Sequence, residues 1–127
     1  MYLILSTIPH FYSIFPLVTY KYTSGYIATI LLSTICSIFY HLYDESNILI
    51  NVMDHGFAGV WFLYDIYMGY RYTNSLGKII FGNVLSFVIN RQIPSHSYSL
   101  YHSLWHLINA YKSYYVATLI SIGLNNF

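Results

Sequence analysis

Charged side chains are the scarcest group in this sequence. Asp, Glu, Lys and Arg together make up 7% of the 127 residues, and apolar residues make up 57%. Soluble proteins carry about 25% of these charged residues. A soluble domain with so few charges would lack a solvated surface, so the composition predicts a membrane protein. The length predicts a single domain over residues 1–127.

Cysteine and clustered positive charge are also lacking. The lone Cys36 excludes an internal disulfide and any zinc cluster built from cysteines. Its apolar surroundings indicate a small core residue. A net charge of +1 without a basic stripe gives no indication of a nucleic-acid partner, so membrane lipid is the expected partner. The first segment has neither a basic start nor a cleavage signal, and we expect it to remain as a spanning helix.

Five apolar stretches predict an all-α membrane bundle of about five transmembrane helices. A helix needs about 20 residues to cross the hydrocarbon core, and the fourth stretch would be only about 22 Å long. It is therefore expected to be a short tilted span or a re-entrant piece. The 44–47 turn offers an N-cap for the third helix. The predicted helices are 2–20, 26–43, 48–70, 76–90 and 98–123.

The positions of the basic residues predict an orientation. Five crossings place the amino terminus and the turns at 44–47 and 91–97 on one side of the membrane. Three basic residues fall near the other side, against one, Arg91, on the first. The positive-inside rule then places the amino terminus outside or in a lumen and the carboxyl terminus in the cytosol. The three basic residues are Lys21, Arg71 and Lys78.

A small set of polar residues inside the apolar segments carries the functional prediction. Ionisable residues in membrane helices are costly and usually face a bundle interior. His102 and His106, four residues apart, share one helix face and can hold one metal ion together. A third imidazole from another helix would give a three-histidine zinc site with one open position, the arrangement of catalytic zinc. An intramembrane zinc hydrolase is therefore the leading hypothesis.

The other members of this set meet the histidine pair at one membrane face. Ser37 and His41 end the second predicted helix, and Asp54 begins the third. With five crossings, these helix ends and the start of the fifth helix lie on the same side. Each residue also has an ordinary reading: a serine can bond to its own i−4 carbonyl, and a histidine near an interface can be solvated.

The residues around these positions resemble the three signatures of a membrane superfamily. It unites alkaline ceramidases, progestin and adiponectin receptors, and myomaker-like proteins. The first and third motifs most resemble the myomaker-like branch. The matching stretches are Ser37-Ile38-Phe39-Tyr40-His41 followed by Asp44, Met53-Asp54 followed by Phe57 and Gly59, and Tyr101-His102-Ser103-Leu104-Trp105-His106.

The resemblance implies a role for each residue. His41, His102 and His106 would be zinc ligands, Asp54 would hold or deprotonate the attacking water, and Ser37 would hydrogen-bond to that water or to an oxyanion. The implied reaction is hydrolysis of a lipid amide or ester. Family members have seven helices, and losing two preserves the parity that keeps the site on one face. It also removes wall from the substrate cavity.

A non-enzymatic protein is the alternative that the same resemblance supports. The named member of the myomaker-like branch acts in membrane fusion. The metal would then serve as a structural staple in a small bundle, and an open coordination position facing a lipid-accessible cavity would distinguish the two readings.

The remaining ionisable residues receive weaker predictions. His55 points about 100° away from Asp54 and is expected beside the site or at the lipid interface. His96 lies in a turn and is expected to be solvated, whereas His10 is expected in the core or at an interface. Asp65 is expected to pair with Lys112 or to cap another polar contact.

Overall fold

The protein is all-helical over the residues that the structure describes. The computed structural model describes residues 2–43 and 46–126, and no strand occurs among them. Short 3-10 segments precede several of the helices. The five α-helices are α1 (Tyr2–Thr7), α2 (Ser24–Leu42), α3 (Ile48–Tyr72), α4 (Leu76–Arg91) and α5 (Tyr98–Leu124).

The four long helices agree with the predicted segments to within two residues at each end. The start of α3 has a clear cause. The Asn47 side chain accepts hydrogen bonds from the backbone N–H groups of Leu49 at 3.0 Å and Ile50 at 3.2 Å, and so caps the first turn. Asp44 and Glu45 of the predicted turn lie outside the described residues.

The first segment differs from the prediction of one helix over residues 2–20. The α-helix ends at Thr7 and continues as a 3-10 helix over Ile8–Ile14, and turns follow. Pro9 and Pro16 explain the difference, because proline lacks the N–H that an α-helix interior requires and its ring clashes with the preceding turn. The segment still crosses the bundle and packs against α5 and α2.

The helices pack so that the predicted site residues meet at one end of the bundle. α2 packs against α3, α3 against α4 and α5, and α4 against α5. The last turn of α2 lies beside the first turns of α5, as the His41–His106 contact shows. At the opposite end α3 and α5 touch closely. A Cβ added to Gly123 would lie 1.6 Å from the carbonyl oxygen of Tyr72.

The surface of the bundle is largely apolar, and its interior combines a hydrophobic core with many buried polar side chains. Large apolar side chains are exposed on every long helix, including Leu63 on α3, Phe81 on α4 and Leu107 on α5. Many of the fully or nearly buried side chains are polar, including Asp65 and Asn83. Soluble proteins usually show the opposite arrangement, with charged groups exposed and apolar groups inside. The apolar exterior therefore suits a hydrocarbon environment.

Hydropathy by itself identifies one spanning candidate in the described part of the chain. The helical stretch Lys21–Leu42 is long and apolar enough to cross a membrane, with a mean hydropathy of 1.5. α3 and α5 have 25 and 27 residues, which is sufficient length, but polar residues lower their hydropathy. A core helix of a soluble protein can meet the same hydropathy criterion.

Candidate metal centre

Three histidine side chains converge between the end of α2 and the start of α5. His41, His102 and His106 each offer a ring nitrogen, and these three atoms lie within 4.8 Å of one another. The Nε2 atoms of His41 and His106 are 3.1 Å apart. Among the described residues, the cluster consists of these three histidines alone. The predicted convergence of the three imidazoles is confirmed.

The arrangement of the rings suits a single metal ion. Zinc–nitrogen distances of about 2.0–2.1 Å and tetrahedral angles place ligand nitrogens roughly 3.3 Å apart and ring centres roughly 5 Å apart. The centre of the His41 ring lies 5.2 Å from the centre of the His102 ring and 5.2 Å from that of the His106 ring. The centres of the His102 and His106 rings are 4.7 Å apart. Because these separations are close to those expected around one ion, a small movement of the side chains would bring all three nitrogens to it.

The two histidines of α5 are held in an apolar and aromatic environment. His102 is 8% exposed and His106 is 3% exposed. Tyr98 stacks on the His102 ring at 4.7 Å, and Trp105 lies 5.0–5.1 Å from both rings. The Trp105 indole donates a 2.9 Å hydrogen bond to the carbonyl oxygen of Ser86, which ties it to α4. These contacts restrict the two imidazoles to a narrow range of orientations.

Buried nitrogen atoms in the cluster retain unused bonding capacity. The Nδ1 atoms of His102 and His106 are buried and have no hydrogen-bond partner among the described residues. An unsatisfied buried polar atom is costly, and native proteins usually supply a partner. Three imidazoles whose nitrogens converge are a donor set that zinc accepts. The residues present therefore fit a metal ion.

Ser37 and Asp54 lie beside the histidine cluster without joining it. Ser37 is half-buried one turn before His41, and its side chain is close enough to the Asp54 carboxylate to interact with it. Asp54 is half-buried on α3, with a carboxylate oxygen 3.8 Å from the Nδ1 atom of His55. All five predicted site residues thus meet at one end of the bundle.

The other histidines occupy different environments. His55 is largely exposed, and its Nδ1 atom lies 2.9 Å from the Asn51 carbonyl oxygen. His96 is exposed in the turn before α5, as predicted. His10 is buried and lies in the core, as predicted. Its Nδ1 atom is 2.9 Å from the Thr7 carbonyl oxygen and its Nε2 atom is 3.2 Å from the Asn109 amide nitrogen. Its ring lies 5.7 Å from that of His106, so it is a neighbour of the cluster. Because both of its nitrogens have hydrogen-bond partners, it is not counted among the ligands.

A second polar network, most of which was not predicted from the sequence, joins four helices. The Asp65 carboxylate is 0% exposed and accepts hydrogen bonds from the Tyr26 hydroxyl and, at 3.0 Å, from the Asn83 amide. The Lys112 ammonium lies 3.6 Å from the same carboxylate and donates a 2.8 Å hydrogen bond to Asn83. Both open readings for Asp65 are therefore observed, since it pairs with Lys112 and also accepts hydrogen bonds from Tyr26 and Asn83.

One sequence signal could have revealed this network. His106, Asn109 and Lys112 are spaced three residues apart, so they continue one polar stripe along α5. Asn109 accepts a 2.9 Å hydrogen bond from Ser86 of α4. The stripe leads from the histidine cluster to the Asp65 network.

Comparison with known proteins gives no relative that bears on the site. No protein-family model, no curated protein and no solved structure matches this chain.

Proposed function

We propose that this protein is a multi-pass membrane protein with a three-histidine zinc site that hydrolyses a lipid amide or ester. The convergence of His41, His102 and His106 is the observation that carries the proposal. It is supported by the resemblance of the surrounding motifs to the alkaline ceramidase, progestin and adiponectin receptor and myomaker-like superfamily.

Membrane residence is supported by the polarity of the helices. α3, α4 and α5 direct apolar side chains outwards and bury polar ones, which lowers their mean hydropathy without making their surfaces polar. In hydrocarbon, polar groups are stable when they pair inside a bundle. In the proposed orientation, the histidine end of the bundle faces the outside or a lumen. The end with Lys21, Arg71 and Lys78 faces the cytosol.

The chemistry of the site follows from its donor set. Three neutral imidazoles leave one coordination position open, as catalytic zinc sites do. Bound zinc would polarise a lipid carbonyl and make water a better nucleophile near neutral pH. The histidines hold the ion, and the aromatic side chains around His102 and His106 keep bulk water away from it. The site would then act at the membrane surface, where lipid carbonyl groups lie.

Asp54 and Ser37 supply the remaining functions. Asp54 is close to the cluster yet outside it, so its carboxylate is free to take up a proton from attacking water. The Ser37 hydroxyl can donate a hydrogen bond to the oxyanion that develops on the carbonyl oxygen, and can orient Asp54 in the resting state.

A structural metal is the second candidate, and the placement of the ligands favours it specifically. The three histidines come from α2 and α5, which are distant in sequence. One bound ion would fasten the two helices together at an end where the turn to α3 is short. Such an ion would stabilise a fusion or remodelling protein without any reaction.

Asp54→Asn separates the two functions. Asparagine has nearly the same shape, but it cannot accept the proton as a base. We expect the variant to keep its zinc and lose hydrolysis by at least about 100-fold, the usual contribution of a general base. Zinc per chain and release of fatty acid from ceramides and simple lipid esters are measured on detergent-purified protein.

His96→Asn is the control, because His96 is exposed in the turn before α5, at the same end of the bundle, and is not one of the five site residues. It should change neither zinc content nor turnover appreciably. Turnover that survives intact in Asp54→Asn would refute the assigned mechanism. Zinc-loaded wild-type protein without turnover on any of these lipids would favour the structural metal.

A further inference from the structure

An open cavity lies at the end of the bundle opposite the three histidines. It has a volume of about 400 Å³ and is formed by three separate parts of the chain. These are the segment before α2, the last turn of α3 and the last turn of α5. Its lining residues are Thr19, Tyr20, Lys21, Tyr22, Arg71, Tyr72 and Leu124.

The walls of this cavity are fixed by contacts between the three parts. The Thr23 hydroxyl is fully buried and lies 2.8 Å from the Leu17 carbonyl oxygen and 2.7 Å from that of Tyr20. The Tyr20 hydroxyl donates a 3.1 Å hydrogen bond to the carbonyl oxygen of Ser121 on α5. The close approach of Gly123 to Tyr72 joins the ends of α5 and α3. The cavity is therefore a built feature of the packing.

Two positive charges face this cavity without a counter-ion. Lys21 and Arg71 are two of the five basic residues in the chain. The ion pairs within the described residues are Asp54 with His55 and Asp65 with Lys112, so neither cavity cation takes part. The carboxyl ends of α3 and α5 lie at the same end and carry partial negative charge, which disfavours an anion. The preference for an anion therefore comes from the formal charges of the two cations.

The depth of the cavity matches the headgroup region of a bilayer. α2 has 19 residues, or about 28 Å at 1.5 Å per residue, which is close to the hydrocarbon thickness of about 30 Å. The cavity lies just beyond the first residue of α2. Tyrosines are typical of this interface, and Tyr22 is 80% exposed. Leu124 in the lining can contact the beginning of an acyl chain.

We propose that this cavity binds the phosphate of an anionic phospholipid from the surrounding membrane. Two cations and the hydroxyl of the exposed Tyr22 suit a phosphate ester, and basic pockets between membrane helices on the cytosolic side hold such headgroups. The proposal rests on the proposed membrane residence and is independent of the metal site, which lies at the other end.

The test measures lipid retention by native mass spectrometry of the detergent-purified chain. Phosphatidic acid is compared with phosphatidylcholine, and glycerol 3-phosphate serves as the soluble competitor. We expect Lys21→Gln and Arg71→Gln each to lower the retention of phosphatidic acid about five-fold, and the double variant about 25-fold. Lys78→Gln is the matched control, since Lys78 is exposed at the same end but does not line the cavity.

Each alternative outcome has a defined meaning. Equal losses from Lys78→Gln would reduce the effect to general surface charge, and unchanged selectivity in the double variant would remove the site. Displacement by glycerol 3-phosphate at equal concentration would replace the lipid by a soluble phosphate ligand. All three outcomes overturn the proposal.

The zinc content of the same samples separates this proposal from the metal centre. Lipid selectivity without zinc would refute the metal centre alone, and zinc without selectivity would refute the lipid site alone. If the double glutamine variant loses both, the charge-preserving variant Lys21→Arg/Arg71→Lys decides. It must retain selectivity, and its failure would overturn the proposal.

Discussion

Burial and hydrogen bonding together distinguish the histidines. His102, His106 and His10 are buried, whereas His55 and His96 are exposed and have water as a partner. Both nitrogens of His10 have protein partners, but one nitrogen of His102 and one of His106 have none among the described residues.

Replacing His106 with alanine should abolish zinc retention. Its ring contacts both other histidines, so the change removes one ligand and the support of the other two. Zinc per chain is measured by elemental analysis after dialysis, with His96→Ala as the exposed control. Retention in His106→Ala equal to that in the control would contradict the ligand assignment.

The site residues differ in how far the sequence could predict them. His102 and His106 were predictable because a spacing of four residues places them on one helix face without any knowledge of the fold. The convergence with His41 required only the parity of the crossings. The partnership of Asp65, Asn83 and Tyr26 depends on how three helices rotate about their axes, and local spacing does not determine that rotation.

At the scale of the helices, the sequence predicted where the long helices begin and end, but it did not predict the break within the first segment. Asn47 caps the start of α3, and the polar stretch around Thr73 separates α3 from α4. The first segment was predicted as one helix because its composition is apolar throughout. Pro9 disrupts the α-helical backbone because it lacks an N–H donor, and the pattern of apolar residues gives no sign of this effect.

The four-helix network predicts a strong coupling between Asp65 and Lys112. Lys112→Met should lower the free energy of unfolding by about 3–5 kcal/mol, because it leaves a buried carboxylate without its cation. Adding Asp65→Asn should restore much of that loss, because no charge then remains at the site. Denaturant unfolding in detergent measures the cycle, and the exposed Lys78→Met is the control. Strictly additive losses would show that the pair is not coupled.

The junction of α3 and α5 predicts a steric effect. Gly123→Ala forces the Tyr72 carbonyl away and should cost about 1–3 kcal/mol, in the range of an overpacked core. Gly56→Ala is the matched helical control, since nothing lies within 4 Å of an added Cβ there. Thermal unfolding midpoints compare the two variants. Equal midpoints would mean that the two helices separate at no cost.

For the whole molecule, the charge distribution predicts which end faces the cytosol. In a Cys36→Ala background, we expect an impermeant maleimide to label His96→Cys in intact cells or sealed vesicles. Asn74→Cys, which is exposed at the opposite end, should be labelled only after permeabilisation. The reversed pattern would invert the orientation, and labelling of both sites from one side would contradict a crossing by α4, the one α-helix between Asn74 and His96.

The buried Asp65 network also has a consequence for how the chain is made. Asp65 leaves the ribosome with α3, before Asn83 of α4 and well before Lys112 of α5. In the proposed membrane protein, α3 would carry an unpaired carboxylate during that interval. α3 would then have to remain near the insertion machinery, or enter the bilayer with Asp65 protonated, until α5 supplies the cation of Lys112. The proposed membrane residence therefore makes assembly of this bundle depend on the completion of its last helix.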